Sequence, residues 1–339
     1  MIQFIILIIL FSFIHDTLGE NENKLENLVK ITPSSITISG LSSGAFMSIQ
    51  FAISHSNLIN GAAIFAGGPY YCAESTLYLA ESRCMKKYNE PLTTTSLLVD
   101  YTKDASEMGT IDNIKNIKNQ KFYLYSGEKD SVVDPSVMNG LSSYLSLLEV
   151  PKTSIKEDFN KQSEHCMPTI DYGEDCDVLS EPYLGNCNYD GAGNAFKAIL
   201  KEEEIKNKRG VYNNSNIFEF NQNEFIEKGK EIGINDIGLV YVPEYCQIKG
   251  NLCALHVALH GCKQNMQFIK NTFAVHAGYN EWAETNNIVV VYPYAKPTTT
   301  PFNPKGCWDW WSYTGVDYGL KSGKQIEFLK KVIDAIIIS

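Results

Sequence analysis

The 339-residue chain has no run of Lys or Arg, no CxxC pair, no low-complexity linker and no apolar stretch long enough to cross a bilayer. Each absence removes a class of function. Its 29 basic residues are outnumbered by 39 acidic ones, leaving a net charge of −10 and a pI near 5.2. Nucleic acid is excluded as a partner, because binding it draws on clustered positive charge. Without paired CxxC spacing the nine cysteines do not read as a zinc site. No Pro-rich or Gly/Ser-rich segment and no internal repeat separates modules, so residues 20–339 are expected to form a single catalytic domain. The longest apolar run, Ile2 to Ile14, holds about a dozen residues where a membrane-spanning helix needs roughly 20. Stable membrane insertion is not expected.

What is present begins with that short run. His15 to Glu20 turns polar, and Thr17 and Gly19 occupy the small-residue positions before a cut, so residues 1–19 read as a secretory signal peptide. The chain is therefore expected outside the cell or in the lumen of the secretory or endolysosomal route, where thiols oxidise. Spacing suggests Cys72 with Cys84, Cys176 with Cys187, Cys246 with Cys253, and Cys262 with Cys307 as a longer staple. Cys166 is left over. Asn213-Asn214-Ser215 is a glycosylation sequon in a polar stretch. Apolar residues at 44% and aromatics at 12% supply ample surface for a core.

Short β-branched runs at Ser35–Ser39, Ala62–Phe65, Phe122–Tyr125, Gly238–Val242, His256–Leu259 and Ile288–Tyr292 read as buried strands. Ala45–His55 and Ser322–Ile338 place apolar residues at helical spacing. Buried strands alternating with helices predict an α/β fold with a mostly parallel central sheet and helices on both faces. Residues Asp190–Lys230, rich in Asn, Lys and Glu, read as a surface insertion or crossover.

Gly40-Leu41-Ser42-Ser43-Gly44 lies between a predicted strand and a predicted helix. That is the context of a nucleophile elbow, where flanking glycines permit a tight turn that lifts the serine hydroxyl above the sheet edge. Ser42 is the candidate nucleophile, and the backbone N–H of Ser43 a candidate oxyanion donor. A serine needs a base and the base a carboxylate. Of six histidines, His165 falls in a polar loop suited to a base, with His276 in reserve at the start of a helical stretch. Asp130, after the strand Phe122–Tyr125, is the preferred acid, and Asp134, before Pro135, the second choice. His256 and His260 share a strand, where four residues span about 13 Å, too far to share one metal ion. Both read as structural.

Leu259-His260-Gly261-Cys262 closes a strand and offers the Cys262 N–H as the second oxyanion donor. A Cys262 nucleophile is the rival, which a bridge to Cys307 would remove. In a usual hydrolase this segment precedes the elbow; here it follows far downstream, so the order is permuted. Trp308, Trp310 and Trp311 lie beside Cys307 and could line a cleft or fill the core. Tyr70 and Tyr71 could line the same cleft or pack a loop.

Taken together, the elbow with Ala45-Phe46-Met47, Gly67-Gly68-Pro69-Tyr70-Tyr71-Cys72-Ala73, Gly185-Asn186-Cys187-Asn188-Tyr189-Asp190, Leu259-His260-Gly261-Cys262 and Cys307-Trp308-Asp309-Trp310-Trp311 resemble extracellular poly(3-hydroxybutyrate) depolymerases of the circularly permuted, single-domain type. The resemblance implies an α/β-hydrolase fold and a triad of Ser42, Asp130 and His165. It also implies oxyanion donors at Ser43 and Cys262, and a Trp-bordered crevice for one polymer strand. It implies neither metal nor cofactor. The expected partner is a polyester or another ester substrate, met by a monomer; a carboxylesterase or lipase acting on small or lipid esters, and a binding protein without activity, are the alternatives.

Overall fold

Strands covered on both faces need apolar residues at successive positions rather than alternate ones. A computed structural model, describing residues 24–86 and 91–338, forms the strands Gly61–Phe65 and Ile288–Tyr292 from such runs, while the central strand Thr32–Leu41 alternates Ile36 and Ile38 with buried Ser35, Thr37 and Ser39. The expected signal peptide lies outside the described residues. The strands are β1 (Thr32–Leu41), β2 (Gly61–Phe65), β3 (Lys121–Gly127), β4 (Ile155–Lys161), β5 (Met167–Thr169), β6 (Glu174–Asp175), β7 (Leu184–Asn186), β8 (Ile217–Asn221), β9 (Ile237–Tyr241), β10 (Leu252–Leu259) and β11 (Ile288–Tyr292). Eight of them make one sheet in the order β4-β3-β2-β1-β10-β11-β9-β8, and β5-β7-β6 make a small second sheet. From β4 to β11 every pairing is parallel, while β9 and β8 join antiparallel at one edge.

Because successive side chains leave a strand on opposite sides, each strand feeds two cores. Ala62, Ile64, Phe122, Leu124, Val289 and Val291 enter the first; Ala63, Phe65, Tyr123, Tyr125, Val290 and Tyr292 enter the second. The first is closed by helices Ser43–Ser54, Pro91–Glu107, Pro135–Leu147 and Lys324–Ile336. The second is closed by Gly191–Ile199, Thr272–His276 and Tyr279–Asn286. Helix Lys324–Ile336 buries Ile326, Leu329, Val332, Ile333 and Ile336 on one stripe, each worth about 1.5–3 kcal/mol of apolar burial.

One expectation is resolved and one corrected. Of the two readings of residues 190–230, the crossover fits and the surface insertion does not: Ala192, Ala195, Phe196 and Ile199 of helix Gly191–Ile199 are buried in the second core, and β8 forms a sheet edge. The few apolar residues that do the packing are outnumbered by polar ones in the turns between. His276 ends its helix rather than starting one.

β1 and β10 run side by side with Gly40 opposite Leu259, and Leu41 lies opposite Phe65 of β2. The carboxyl ends of these strands therefore arrive together, the edge at which open parallel sheets place their sites. Below that edge His256 is wholly buried, Nδ1 2.8 Å from Thr37 Oγ1 and Nε2 2.7 Å from Ser39 Oγ. Burial holds its pKa down at about 3, and those of His55 and His260 at about 4, against 6.5 for the free group. The unfolded chain takes up these protons as pH falls below about 6.5, while the folded one does not until about 4 or lower, so stability is full above 6.5 and is lost on acidification. The melting temperature is expected to fall steadily from about pH 7 to pH 4; a flat profile would contradict neutral burial of these rings.

Candidate active site

β1 passes into helix Ser43–Ser54 through Ser42, whose φ of 56° and ψ of −120° lie outside the regions L-residues favour. The strained turn is held at both ends, by Ser42 N–H donating to Phe65 O at 2.9 Å and Phe46 N–H donating to Ser42 O at 3.0 Å. Glycine is required on either side. A Cβ on Gly40 would sit 2.2 Å from the Gly44 carbonyl carbon, and one on Gly44 would sit 2.4 Å from Leu259 O and 2.5 Å from His260 O.

Asp130 follows β3 and His165 follows β4, and the two meet: His165 Nδ1 lies 2.8 Å from Asp130 Oδ2, with both residues buried. The other carboxylate oxygen accepts from Val132 N–H at 2.9 Å and Val133 N–H at 2.8 Å. Glu164 ties the two loops, accepting from Ser131 N–H and His165 N–H at 3.1 and 2.8 Å. With Nδ1 taken up by Asp130, Nε2 remains for chemistry, and His165 lines the same cavity as Ser42. Asp134, the second choice, caps helix Pro135–Leu147 by accepting from Ser136 N–H at 2.9 Å. His276 stacks on Tyr172 and is not among the cavity-lining residues.

The four disulfides Cys72–Cys84, Cys176–Cys187, Cys246–Cys253 and Cys262–Cys307 are formed. Cys262 therefore has no thiol to attack with. Its bridge to Cys307 fixes the end of β10 to the Trp segment, whose Trp308 N–H donates to Ser43 Oγ at 3.3 Å. Cys166 is free and buried, and burial first, with Asp130 and Glu164 adding, pushes its thiol up to about 12. A thiol in that state is a poor nucleophile.

The cavity above Ser42 measures about 440 Å³ and is walled by Phe46, Met85, Val133, Leu179, Trp310 and Trp311. Phe46 stacks on Trp310 with ring centroids 4.1 Å apart. Of the expected wall residues, Trp310 and Trp311 line it; Trp308, Tyr70 and Tyr71 do not. Trp308 is wholly buried in the first core, Tyr70 donates its hydroxyl to Gly319 O at 3.0 Å, and Tyr71 stacks on Tyr101 at 3.6 Å. Among the wall residues that motif reasoning missed, Leu77 lies between Cys72 and Cys84, Leu179 and Tyr183 lie between Cys176 and Cys187, and Met85, Val133 and Phe302 lie outside those loops. The signal for the first three was apolar residues inside otherwise polar loops closed by cysteines.

Among the described residues no group of three or more His, Cys, Asp or Glu could hold a metal ion, and no helix is long and apolar enough to cross a membrane. The arrangement has what acyl transfer asks for: a serine at a strained elbow and a carboxylate-oriented imidazole lining one cavity. No protein-family model matches the chain. It is 39% identical over 310 residues to a poly(3-hydroxybutyrate) depolymerase of Delftia acidovorans, covering 91% of this chain and 60% of that protein. It is 33% identical over 323 residues to a polyhydroxybutyrate depolymerase of Talaromyces funiculosus, covering 91% of both. The chain belongs to the polyhydroxybutyrate depolymerase family.

Solved depolymerases agree. The crystal structure of the depolymerase from Penicillium funiculosum superposes with a TM-score of 0.81 at 32% identity, covering 91% of this chain and 97% of that one. A depolymerase complexed with an (R)-3-hydroxybutyrate trimer gives the same TM-score at 31% identity and the same coverage. The α/β fold, a large and mostly parallel sheet with helices, is thus shared with depolymerases of known structure.

Replacing Asp130 by Asn keeps the shape but lets the side chain stabilise the wrong imidazole tautomer. The Asp130→Asn protein is expected to fold normally by circular dichroism and to lose about 10³- to 10⁴-fold in kcat on a short soluble ester. A loss below tenfold would remove Asp130 from the reaction.

Proposed function

We propose that the chain is a secreted serine esterase that cleaves the ester bonds of poly(3-hydroxybutyrate) or its oligomers through an acyl-enzyme on Ser42. One observation carries the reading: Ser42 at its elbow and the Asp130-bound His165 open into one apolar cavity walled by Trp310 and Trp311. Ser42 Oγ attacks the ester carbonyl carbon while its proton passes to His165 Nε2. The carbonyl oxygen becomes an oxyanion held by the N–H groups of Ser43 and Cys262. As the C–O bond breaks, the same proton goes to the departing alkoxide, releasing a hydroxyl-ended chain. Water then attacks the acyl-enzyme, giving its proton to His165, and a carboxylate-ended product leaves as Ser42 recovers its hydrogen.

The family membership and the trimer found in a solved relative support this substrate class. So does charge: an uncharged polyester meets no repulsion from a protein of net charge −10, whereas anionic products are pushed out. Residues 20–339 are proposed to act as one catalytic unit and as a monomer. The chain spans 60% of the length of the Delftia relative, so the activity of that whole protein enters only as part of this proposal. Four disulfides fit a secreted protein, and Asn213 of the sequon is exposed at a turn, open to glycosylation.

The reading is tested by following the clearing of a poly(3-hydroxybutyrate) suspension and the hydrolysis of a short soluble ester. Ser42→Ala is expected to lose at least about 10³-fold in both assays, and Trp310→Ala to slow clearing more than ester hydrolysis. Ester hydrolysis without clearing by the wild type would indicate a small-ester carboxylesterase instead, and full activity in Ser42→Ala would overturn the site.

A further inference from the structure

The end of β10 is bound more closely than packing alone requires. His260 is buried, its ring between those of Tyr294 and Trp308 at centroid distances of 5.3 and 5.6 Å. Its Nε2 accepts from the Ala295 backbone N–H at 3.1 Å. A backbone amide can only donate, so Nε2 carries the lone pair and the ring proton sits on Nδ1. Nδ1–H therefore donates to Gly261 O, 2.7 Å away. Burial holds the ring pKa down at about 4 and keeps this single neutral tautomer in place. On the other side of the same residue, Gly261 N–H donates to Gln264 Oε1 at 2.8 Å. Gln264 is wholly buried and spends its own Nε2 protons on Pro182 O and Tyr183 O, at 2.9 and 3.1 Å.

The Gly261 carbonyl also accepts from the Gln264 backbone N–H at 3.2 Å, so the His260–Gly261 peptide is held at its N–H by the Gln264 side chain and the Gly261–Cys262 peptide at its carbonyl by His260 and the Gln264 backbone. In a planar trans peptide the C=O and the following N–H point in opposite directions. A Gly261 carbonyl held against His260 therefore turns the Cys262 N–H the other way. A Cβ on Gly261 would lie 3.3 Å from Leu41 O and 3.4 Å from Ser42 Cβ, so Gly261 stands against the elbow.

We propose that His260 and Gln264 are positioning residues that clamp the Gly261–Cys262 peptide so that its N–H meets the oxyanion, and that they act in the transition state rather than in substrate binding. The proposal rests on the reading of Ser42 as nucleophile and Cys262 N–H as oxyanion donor. Donors fixed in advance need no reorganisation as charge develops, and removing one whole donor in such a site costs about 10²- to 10³-fold in kcat. Loosening one costs less.

The test compares His260→Leu, which removes the Nδ1–H donor, with His260→Asn, whose Nδ2 can stand in for it, and Gln264→Met. Each is assayed on a short soluble ester for kcat and KM, and for inhibition by an alkylboronic acid. In that adduct the boron accepts an electron pair from Ser42 Oγ, the serine proton passes to His165, and the tetrahedral product mimics the oxyanion. His260→Leu and Gln264→Met are expected to lose about 10- to 10²-fold in kcat, with KM within about twofold and boronate affinity weakened in step with kcat. His260→Asn should recover most of the lost kcat. If His260→Leu does not fold, Gln264→Met decides. Unchanged kcat and boronate affinity in a folded variant, or a rise in KM alone, would overturn the clamp. Ser42→Ala run alongside separates the two ideas: its inactivity together with intact clamp variants sinks only the clamp, whereas its full activity sinks the nucleophile itself.

Discussion

Nothing larger than hydrogen fits between Gly44 and the carbonyls of Leu259 and His260. This close approach of one backbone to another is the constraint on which the site depends. It requires β1 and β10 to be parallel neighbours in a fixed register, and it brings the turn around Ser42 against a segment far away in sequence. Once β1 and β10 are paired, β2 supplies the acceptor for Ser42 N–H, and β3 and β4 bring Asp130 and His165 to the same edge. A hydrolase sheet entered at a different strand keeps this arrangement because contacts across the sheet, rather than chain order, set the geometry.

The four disulfides do different work. In the chain-entropy picture a bridge closing a loop of about 45 residues restricts the unfolded chain by about 4 kcal/mol, against about 2.5–3 kcal/mol for loops of about 7 to 12. Cys262–Cys307, with a separation of 45, is therefore the larger contributor to stability as well as the brace of the catalytic edge. Cys72–Cys84 and Cys176–Cys187, separated by 12 and 11, stiffen loops that wall the cavity. Asp309 adds a further brace: buried, it accepts from the N–H groups of Ser312, Tyr313 and Thr314 at 2.8, 3.0 and 2.8 Å, and so shapes the turn that carries Trp310 and Trp311.

The interior of the sheet was legible in the sequence and its edges were not. Strands such as Ile288–Tyr292 announce themselves because both faces are covered and every position is apolar. β4, Ile-Lys-Glu-Asp-Phe-Asn-Lys, and β8, Ile-Phe-Glu-Phe-Asn, are the two edge strands, partly exposed, and their polar residues hide the pattern. Ser42 was legible because its motif needs glycines that the turn geometry demands. Asp130 and His165 were found by role and position, since an acid and a base must stand on loops at one sheet edge. The aromatic residues were half legible: composition says that Trp and Tyr gather near the site, but only packing tells Trp310, facing the cavity, from Trp308, turned into the core two residues earlier. Leu179 and Met85 carry no motif at all and owe their place to loops that the sheet positions.

Two of the three short disulfide loops, Cys72–Cys84 and Cys176–Cys187, divide the labour of the molecule in a further way. Leu77 and Leu179, which lie between their cysteines, line the cavity, while Pro182, Tyr183 and Leu184 of the second loop hold Gln264 and pair with β5. Exchanging Leu77 or Leu179 leaves the register of β1 and β10, the elbow and the Asp130–His165 pair untouched. The width of the cleft is therefore set by side chains that the sheet does not need, while the geometry around Ser42 is set by backbone that the cleft does not shape.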